Sequence, residues 1–305
     1  MPHVIRRADG PAKKIVIVGA GPGGLEAARV AGERGHAVIL LEAAADPGGQ
    51  LRLAARGKRR RELLGIVDWR IERCRRLGVE LQVNRWAEAE TVTGLDPDLV
   101  IVATGGLPDA EVLEAGNELT VSSWDILSGD AKIAEDVLLY DDNGAHPGMQ
   151  AAEAIVDAGS RLEIVSPERY FAPEVGGLNH VSYAQALQRA GARITILSRV
   201  TSVRRQGNKL AAVIGSDYGS RTEERLVDQV VVEHGTLPLD ELYFALKPGS
   251  RNGGEVDYQA LIEGRPQDLT RNPDGRYRLF RIGDAVSSRN VHAAIYDALR
   301  LCKDF

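Results

Sequence analysis

Short runs of branched apolar residues, each followed by a glycine-containing turn, recur along the chain. The first run, residues 15–18 (Ile-Val-Ile-Val), predicts a strand buried on both faces of a parallel sheet. Residues 25–31 then predict a helix that ends at Gly35, and residues 37–41 predict a second buried strand. Strand, helix and strand in this order form a complete βαβ unit.

The same alternation continues to the end of the sequence. Helices are predicted at residues 62–77, 149–158 and 291–301. Further strands are predicted at residues 79–83, 99–106, 137–140, 162–165, 192–197, 226–232 and 277–282. We therefore predict an α/β protein.

The first βαβ unit carries a Gly-x-Gly-x-x-Gly motif, which is a weak signal alone but a specific one between a strand and a helix. Gly19 permits the tight turn, Gly21 lets the backbone approach a pyrophosphate, and Gly24 lets the helix pack closely on the strand. The N-terminus of the helix that follows favours phosphate groups, and Pro22 is also among the predicted cofactor-binding residues. We predict a nucleotide site here.

An acidic residue, Glu42, follows the second strand. Its carboxylate can accept hydrogen bonds from the hydroxyl groups of an adenosine ribose, and it would repel a 2′-phosphate. The first site is therefore predicted to take FAD, ADP or NAD rather than NADP.

Three further turns contain glycine and polar residues after predicted strands. We predict that they complete the cofactor site, although Gly283-Asp284 can equally be a simple N-cap on the last helix. Beyond the glycine motif and Glu42, the predicted cofactor-binding residues are Gly49, Gln50, Ala87, Ala103, Thr104, Gly105, Gly283, Asp284 and His292.

The second βαβ unit, at residues 137–165, lacks the glycine fingerprint. Its loop contains Asp141, Asp142 and His146, and carboxylates beside a pyrophosphate are unfavourable. We therefore expect this domain to bind NAD(P) poorly. A basic segment, residues 56–61, is interpreted as the solvated start of a helix in preference to a phosphate or partner contact.

Composition and charge argue against several classes of protein. The chain has 305 residues, a net charge of −5 and two cysteines, Cys74 and Cys302. These cysteines form no motif for zinc or an iron–sulfur cluster, so no metal site is predicted. The charge disfavours a nucleic-acid surface. The start of the sequence lacks the apolar core of a signal peptide, and no run reaches the ~20 residues of a membrane span, so we expect a cytoplasmic protein.

Taken in order, the glycine motif, the Gly48-Gly49-Gln50 turn, Ala103-Thr104-Gly105 and Gly283-Asp284 resemble the flavoproteins with two dinucleotide-binding domains. Within that superfamily the chain is similar to the C-terminal half of the trimethylamine dehydrogenase and 2,4-dienoyl-CoA reductase family. The resemblance implies an α/β fold of two Rossmann-like dinucleotide-binding domains, the second inserted in the first. The expected boundaries are an arm at residues 1–12, a first domain at 13–110 and 278–305, and an inserted domain at 111–277. Residues 230–248 (VVVEHGTLPLDELYFALKP) and 279–304 look closest to dimethylglycine and N-methylproline demethylases.

The resemblance implies more than this chain contains. Full-length members begin with a TIM barrel that carries FMN, followed by a cysteine cluster that binds a 4Fe–4S centre, and this chain has neither. The expectation is a subunit or fragment that works with an FMN and 4Fe–4S barrel partner. Members resembling trimethylamine dehydrogenase lose the glycines of the second fingerprint and pass electrons onward. The Gly49-Gln50 and Gly283-Asp284 turns favour FAD over the alternative, ADP.

The predicted function is therefore that of an FAD-binding oxidoreductase module, acting in electron transfer during oxidative N-demethylation of a methylated amine or amino acid. The alternatives are a stand-alone NAD(P)H-dependent flavin reductase and a non-catalytic scaffold that binds ADP. No general base or nucleophile is predicted. The histidines at 146, 180, 234 and 292 are interpreted as structural or surface residues, with His292 the first to test.

Overall fold

The computed structural model describes residues 4–305 and divides them into two compact units. The first unit comprises the residues up to Arg52, Glu62–Leu107 and Thr236–Phe305, and the second comprises Leu53–Arg61 and Pro108–Gly235. Each unit contains a five-stranded parallel sheet. The predicted fold class is confirmed: two Rossmann-like domains, the second inserted in the first.

The described residues form fifteen strands. They are β1 (Lys14–Val18), β2 (Ala37–Leu41), β3 (Glu80–Gln82), β4 (Leu99–Val102), β5 (Gly106–Pro108), β6 (Val121–Ser122), β7 (Asp136–Asp141), β8 (Arg161–Val165), β9 (Arg193–Thr195), β10 (Arg199–Gln206), β11 (Lys209–Ser216), β12 (Gly219–Val227), β13 (Gln229–Glu233), β14 (Thr236–Pro238) and β15 (Arg278–Arg281).

Ten α-helices accompany these strands within residues 4–305, and none of them is long and apolar enough to cross a bilayer. They are α1 (Pro22–Glu33), α2 (Gln50–Ala54), α3 (Leu64–Arg76), α4 (Ala89–Gly94), α5 (Ser123–Ser128), α6 (His146–Asp157), α7 (Gly177–Arg189), α8 (Glu241–Leu246), α9 (Tyr258–Glu263) and α10 (Val291–Cys302). Short 3-10 helices lie at Arg61–Leu63, Asn117–Leu119, Lys247–Gly249 and Gly283–Ala285.

The sheet of the first unit has the strand order β15-β4-β1-β2-β3. Its three central strands, β4, β1 and β2, read as continuous apolar runs because helices or loops cover both faces. On one face, α1 packs against α3 and α10. On the other, Val16 and Val100 share a buried cluster with Tyr243 and Leu246 of α8.

The sheet of the second unit has the order β6-β13-β7-β8-β9. Alternate residues of β7 point to opposite faces, as the strand period requires. Val137 and Leu139 pack with Met149 of α6, whereas Leu138 packs with Val203 beneath an antiparallel sheet of β10, β11 and β12. The prediction of a single strand at residues 226–232 is wrong, because Asp228 interrupts it: residues 226 and 227 end β12, and β13 begins at Gln229.

The unit boundaries differ from the predicted domain boundaries in two places. Residues 236–277, predicted in the inserted domain, lie in the first unit. There β14 pairs with β5, and Tyr243 packs in the buried cluster beneath the first sheet. Residues 53–61, predicted in the first domain, lie in the second unit. There Arg59 forms an ion pair with Glu153, and Lys58 Nζ lies 2.7 Å from an Asp157 carboxylate oxygen.

Lys58 and Arg59 of the basic segment 56–61 thus form ion pairs within their unit, and the last residue of the segment, Arg61, begins the 3-10 helix that leads into α3. Of the predicted arm, residues 1–3 lie outside the described residues. The remainder runs without helix or strand along the end of α1, where Ala8 N–H donates to the Arg34 carbonyl over 2.9 Å.

Candidate functional site

The carboxyl ends of the central strands meet at one edge of the first sheet. Val18 is in register with Leu41 and with Val102, and Val102 is in register with Arg281. The residues that follow these four strands therefore lie at the same edge, which is where parallel α/β sheets bind their ligands. They include the predicted Gly19, Glu42, Ala103 and Gly283.

Two glycines of the first turn are required by packing. Gly19 has a φ of +99°, and an added Cβ would lie 2.4 Å from the carbonyl oxygen of Ala103. A Cβ on Gly24 would lie 1.8 Å from the carbonyl oxygen of Gly19. Strand and helix thus approach each other through bare backbone, as the sequence predicted for a dinucleotide fold.

Gly21 is different, because a Cβ built on it meets no protein atom within 4 Å. It is the N-cap of α1, with ordinary extended dihedrals (φ −70°, ψ −177°), no side-chain capping bond and no acidic residue in the following turn. Pro22 at the first helical position contributes no N–H. The open space in front of an uncapped twelve-residue helix, whose dipole is positive at this end, suits a phosphate group.

Glu42 lies beside this turn. One carboxylate oxygen accepts the N–H of Ala20 over 2.7 Å, and the other accepts the N–H of Ala44 over 2.9 Å. A carboxylate has about four acceptor positions, so both oxygens retain capacity for ligand hydroxyl groups. The Gly48 N–H donates to the carbonyl of Ala20 over 2.9 Å, which brings the Gly48-Gly49 turn against the glycine loop.

At the other end of the site, the structure brings together two predicted residues that are 234 positions apart. Gln50 begins α2, and its side-chain amide donates to Asp284 over 3.1 Å. The backbone N–H of Arg289 donates to the second oxygen of Asp284 over 3.2 Å. Burial raises the pKa of Asp284, while the bonds from Arg289 and Gln50 lower it.

The Gly283-Asp284 turn is not the N-cap of the last helix. Asn290 caps α10, since its side-chain oxygen accepts the N–H of Ala293 over 2.9 Å. Gly283 instead adopts a φ of +64°, and its N–H donates to Asp297 over 3.3 Å. Sequence reasoning missed Asp297, because nothing in its local pattern distinguishes it from other polar helix residues.

The remaining predicted residues are distributed around this edge. Thr104 donates its hydroxyl to the carbonyl of Leu239, and the Leu239 N–H donates to the Gly105 carbonyl over 3.0 Å. Ala87 precedes α4 and is partly buried against the core of the first unit. His292 is exposed in the first turn of α10, and its ring stacks on that of Tyr296 at 5.9 Å between centroids.

The corresponding edge of the second sheet is acidic. Asp141, the last residue of β7, is 1% exposed, and one of its carboxylate oxygens accepts the N–H of Gly144 over 2.8 Å. Burial raises the pKa of Asp141 to about 7, the bond from Gly144 opposes this shift, and the charge of Glu233 adds to it. Glu233, the last residue of β13, is also buried, which raises its pKa.

The histidines of this unit have protein partners. His146 Nδ1 lies 2.6 Å from Arg60, and burial together with that cation lowers the pKa of His146 to about 4. His180 Nε2 lies 3.1 Å from the carbonyl of Phe171, and His234 Nδ1 lies 3.2 Å from Asp142. Among residues 4–305, no group of three or more His, Cys, Asp or Glu side chains is arranged to hold a metal ion.

Fold and site together define a Rossmann-type protein with two dinucleotide-binding domains. In comparison with known proteins, residues 3–134 match the family model described as pyridine nucleotide-disulphide oxidoreductase. Among solved structures, histamine dehydrogenase from Rhizobium sp. 4-9 superposes with a TM-score of 0.82 at 23% identity, over 98% of this chain and 44% of that one. Thioredoxin reductase of T. acidophilum gives 0.64 at 16% identity, over 95% and 97%.

Two curated relatives are more similar in sequence. A protein of Rhizobium meliloti named "Probable N-methylproline demethylase" is 57% identical, over 100% of this chain and 45% of that protein. The N,N-dimethylglycine/sarcosine dehydrogenase of Chromohalobacter salexigens is 44% identical, over 100% and 46%. The resemblance stated from the sequence is confirmed: the chain is an oxidoreductase-family homologue of these proteins. It spans less than half the length of either relative.

Proposed function

We propose that the first unit binds FAD at the carboxyl edge of its sheet and serves as an electron-transfer module. The observation that supports this most directly is the open space at Gly21, in front of the uncapped N-terminus of α1. Backbone atoms occupy the space in front of Gly19 and Gly24, but no atom of the first unit lies within 4 Å of a Cβ built on Gly21. A pyrophosphate there would receive backbone N–H groups and the positive end of the helix.

The residues around this space divide the work of holding the cofactor. Glu42 would accept the ribose hydroxyl groups, and its charge would discriminate against a 2′-phosphate. The linked pair of Gln50 and Asp284 would line the end of the site where the flavin ring lies, with Asp284 held in place by the N–H of Arg289. Bound FAD would supply reversible uptake and release of electrons.

The wider role follows from the relatives. One relative is named as a demethylase and the other as a dehydrogenase of N-methylated compounds, and this chain matches less than half the length of each. We therefore assign the module to oxidative N-demethylation of a methylated amine or amino acid. A separate barrel partner with FMN and a 4Fe–4S centre would provide the substrate pocket and exchange electrons with the FAD. Within residues 4–305 we assign no acid–base residue to the reaction.

The acidic edge of the second unit favours this role over that of an NAD(P)H-dependent reductase. A reductase of that kind needs a pyrophosphate site on the second domain. Asp141 and Glu233 instead place carboxylates at the ends of neighbouring strands, where a phosphate would experience repulsion.

A visible spectrum of the purified protein, with mass spectrometry of the nucleotide released by heat, tests the proposal. We expect flavin absorbance bands, release of FAD at about one per chain, and no bleaching by NADH. A colourless protein that releases ADP would identify the scaffold alternative. Rapid bleaching at micromolar NADH would identify the reductase alternative and overturn the assignment.

Substitution of Glu42 tests the ribose contact. Glu42→Ala should weaken FAD binding by about 1.5–3 kcal/mol, the usual contribution of hydrogen bonds to a charged group. Quenching of flavin fluorescence on titration into the apoprotein measures the dissociation constant. Glu42→Gln is the matched control, because its amide oxygen can still accept the Ala20 N–H, and its loss should be smaller. Equal affinity in all three proteins would contradict a role for Glu42 in binding.

A further inference from the structure

The two units offer an internal comparison, because each begins a helix directly after a central strand. In the first unit the third residue of α1 is Gly24, and in the second the third residue of α6 is Gly148. A Cβ on Gly24 would meet the backbone oxygen of Gly19 at 1.8 Å. A Cβ on Gly148 would meet the side chain of Asp141, with its carboxylate carbon and one oxygen each at 2.7 Å. A carboxylate thus fills the gap that bare backbone fills in the first unit.

We propose that Asp141 is the residue that excludes a pyridine nucleotide from the second unit, by acting as a built-in anion at the N-terminus of α6. This inference rests on the proposed function, in which the second unit takes no NAD(P)H, and it names the cause. An aspartate in this position supplies the negative charge that the helix end would otherwise draw from a phosphate.

The hydrogen bonds of the loop support this assignment. Asp141 takes the N–H of Gly144, one of the backbone donors between β7 and α6. The neighbouring strand contributes a second carboxylate, since Glu233 is in register with Asp141. Glu233 accepts the side-chain amide of Asn143 over 2.8 Å and the N–H of Gly235 over 2.9 Å. Donors that could serve a pyrophosphate are therefore committed to carboxylates of the protein.

Charge acts in the same direction as the committed donors. Asp141 and Glu233 lie side by side at the ends of β7 and β13, both shielded from solvent. Repulsion between such groups and an incoming pyrophosphate is weakly screened when they are buried. A nucleotide would have to displace the Asp141 carboxylate from Gly144 and then tolerate its charge nearby.

Loop length is the competing explanation. Three residues separate β1 from α1, and four separate β7 from α6. If the longer loop alone prevented binding, removal of the carboxylate would change nothing. If Asp141 is the cause, its removal should release the Gly144 N–H and the helix end to a ligand.

The experiment compares NADH binding by calorimetry at pH 8, with the first site saturated with FAD so that only the second unit is available. Asp141→Ala should bind NADH at least about tenfold more tightly than wild type, the effect of removing one like-charge contact. Asp142→Asn is the matched control. It removes the same charge one residue away, but Asp142 pairs with Arg199 and His234 instead of the α6 loop.

The outcomes separate the inference from the function on which it rests. A gain in Asp141→Ala but not in Asp142→Asn supports the inference. No gain in a folded Asp141→Ala, or an equal gain in both variants, overturns it. If Asp141→Ala does not fold, the isosteric Asp141→Asn decides, with a gain supporting the inference and none overturning it. Failure of the proposed function would appear separately, as an inability of wild type to take up FAD.

Discussion

Replacement of Gly21 with valine should leave the protein folded but without its dinucleotide. The extended dihedrals of Gly21 are accessible to valine, and its Cβ would point into space that holds no protein atom within 4 Å. The same space is where the pyrophosphate is proposed to lie. We expect FAD affinity to fall at least about 100-fold, or roughly 2.7 kcal/mol, while the far-ultraviolet circular dichroism stays unchanged.

The control for this variant is Gly65→Val. Gly65 lies in the first turn of α3, and a Cβ there also meets nothing within 4 Å. It is remote in sequence from the glycine loop, so its FAD content should equal that of wild type. Full flavin stoichiometry in Gly21→Val, measured by absorbance after purification, would contradict the proposal that the pyrophosphate lies in the space at Gly21.

Gly24→Ala, in contrast, should destabilise the folded protein itself, whether or not a cofactor is bound. The added methyl group would lie 1.8 Å from the carbonyl oxygen of Gly19, and both sides of this contact are backbone. Rotation of a side chain cannot relieve it, so α1 must move away from β1. Shifts of this kind in a packed core cost more than about 3 kcal/mol, which is a large part of the stability of a domain.

Urea denaturation followed by circular dichroism measures this effect. Gly65→Ala is the comparison, since alanine at an open helical position should be neutral or slightly stabilising. A Gly24→Ala protein with the wild-type denaturation midpoint would mean that α1 and β1 lie farther apart than the 1.8 Å between the added methyl group and the Gly19 oxygen implies. The two variants together separate a glycine that packs from a glycine that leaves room for a ligand.

The two strands of the first βαβ unit could be predicted from the sequence almost residue by residue, whereas the helix predicted at residues 25–31 spans Pro22–Glu33. The strand predicted at residues 37–41 coincides with β2, and the strand at 15–18 differs from β1 by one residue. Continuous apolar runs are clear signals when a strand is buried on both faces, and glycine marks the turn that follows. The same reasoning placed Gly19, Glu42 and Ala103 at one edge, since parallel strands align their carboxyl ends.

The antiparallel sheet of the second unit was not predicted. Its outer strands, β10 and β12, contain many charged residues, and much of β12 is exposed to solvent, whereas β11 is largely apolar. Half-exposed strands give no continuous apolar run. The Gly207-Asn208 turn between β10 and β11, with a φ of +62° at Gly207, was the available signal.

Long-range pairings were the part of the site that the sequence left open. Gln50 and Asp284 were each predicted, but their hydrogen bond depends on how two distant turns converge. Asp297 and Arg289 pair on the same side, and their role in holding Gly283 and Asp284 follows only from the folded chain. The return of the chain to the first unit at Thr236 was likewise hidden, because the pairing of β14 with β5 leaves little trace in short strands.

The order of strands in the first sheet also determines which of the two parallel sheets can be completed first during synthesis. The edge strand β15 and the turn that carries Asp284 lie within residues 278–305, yet β15 pairs with β4, which is made about 180 residues earlier. A ribosome-bound chain can complete the parallel sheet of the second unit, from β6 to β13, while the first sheet still waits for its last strand. Completion of the first sheet therefore comes after that of the parallel sheet of the second unit, and loss of β15 with the turn that carries Asp284 would abolish the cofactor site proposed at this edge.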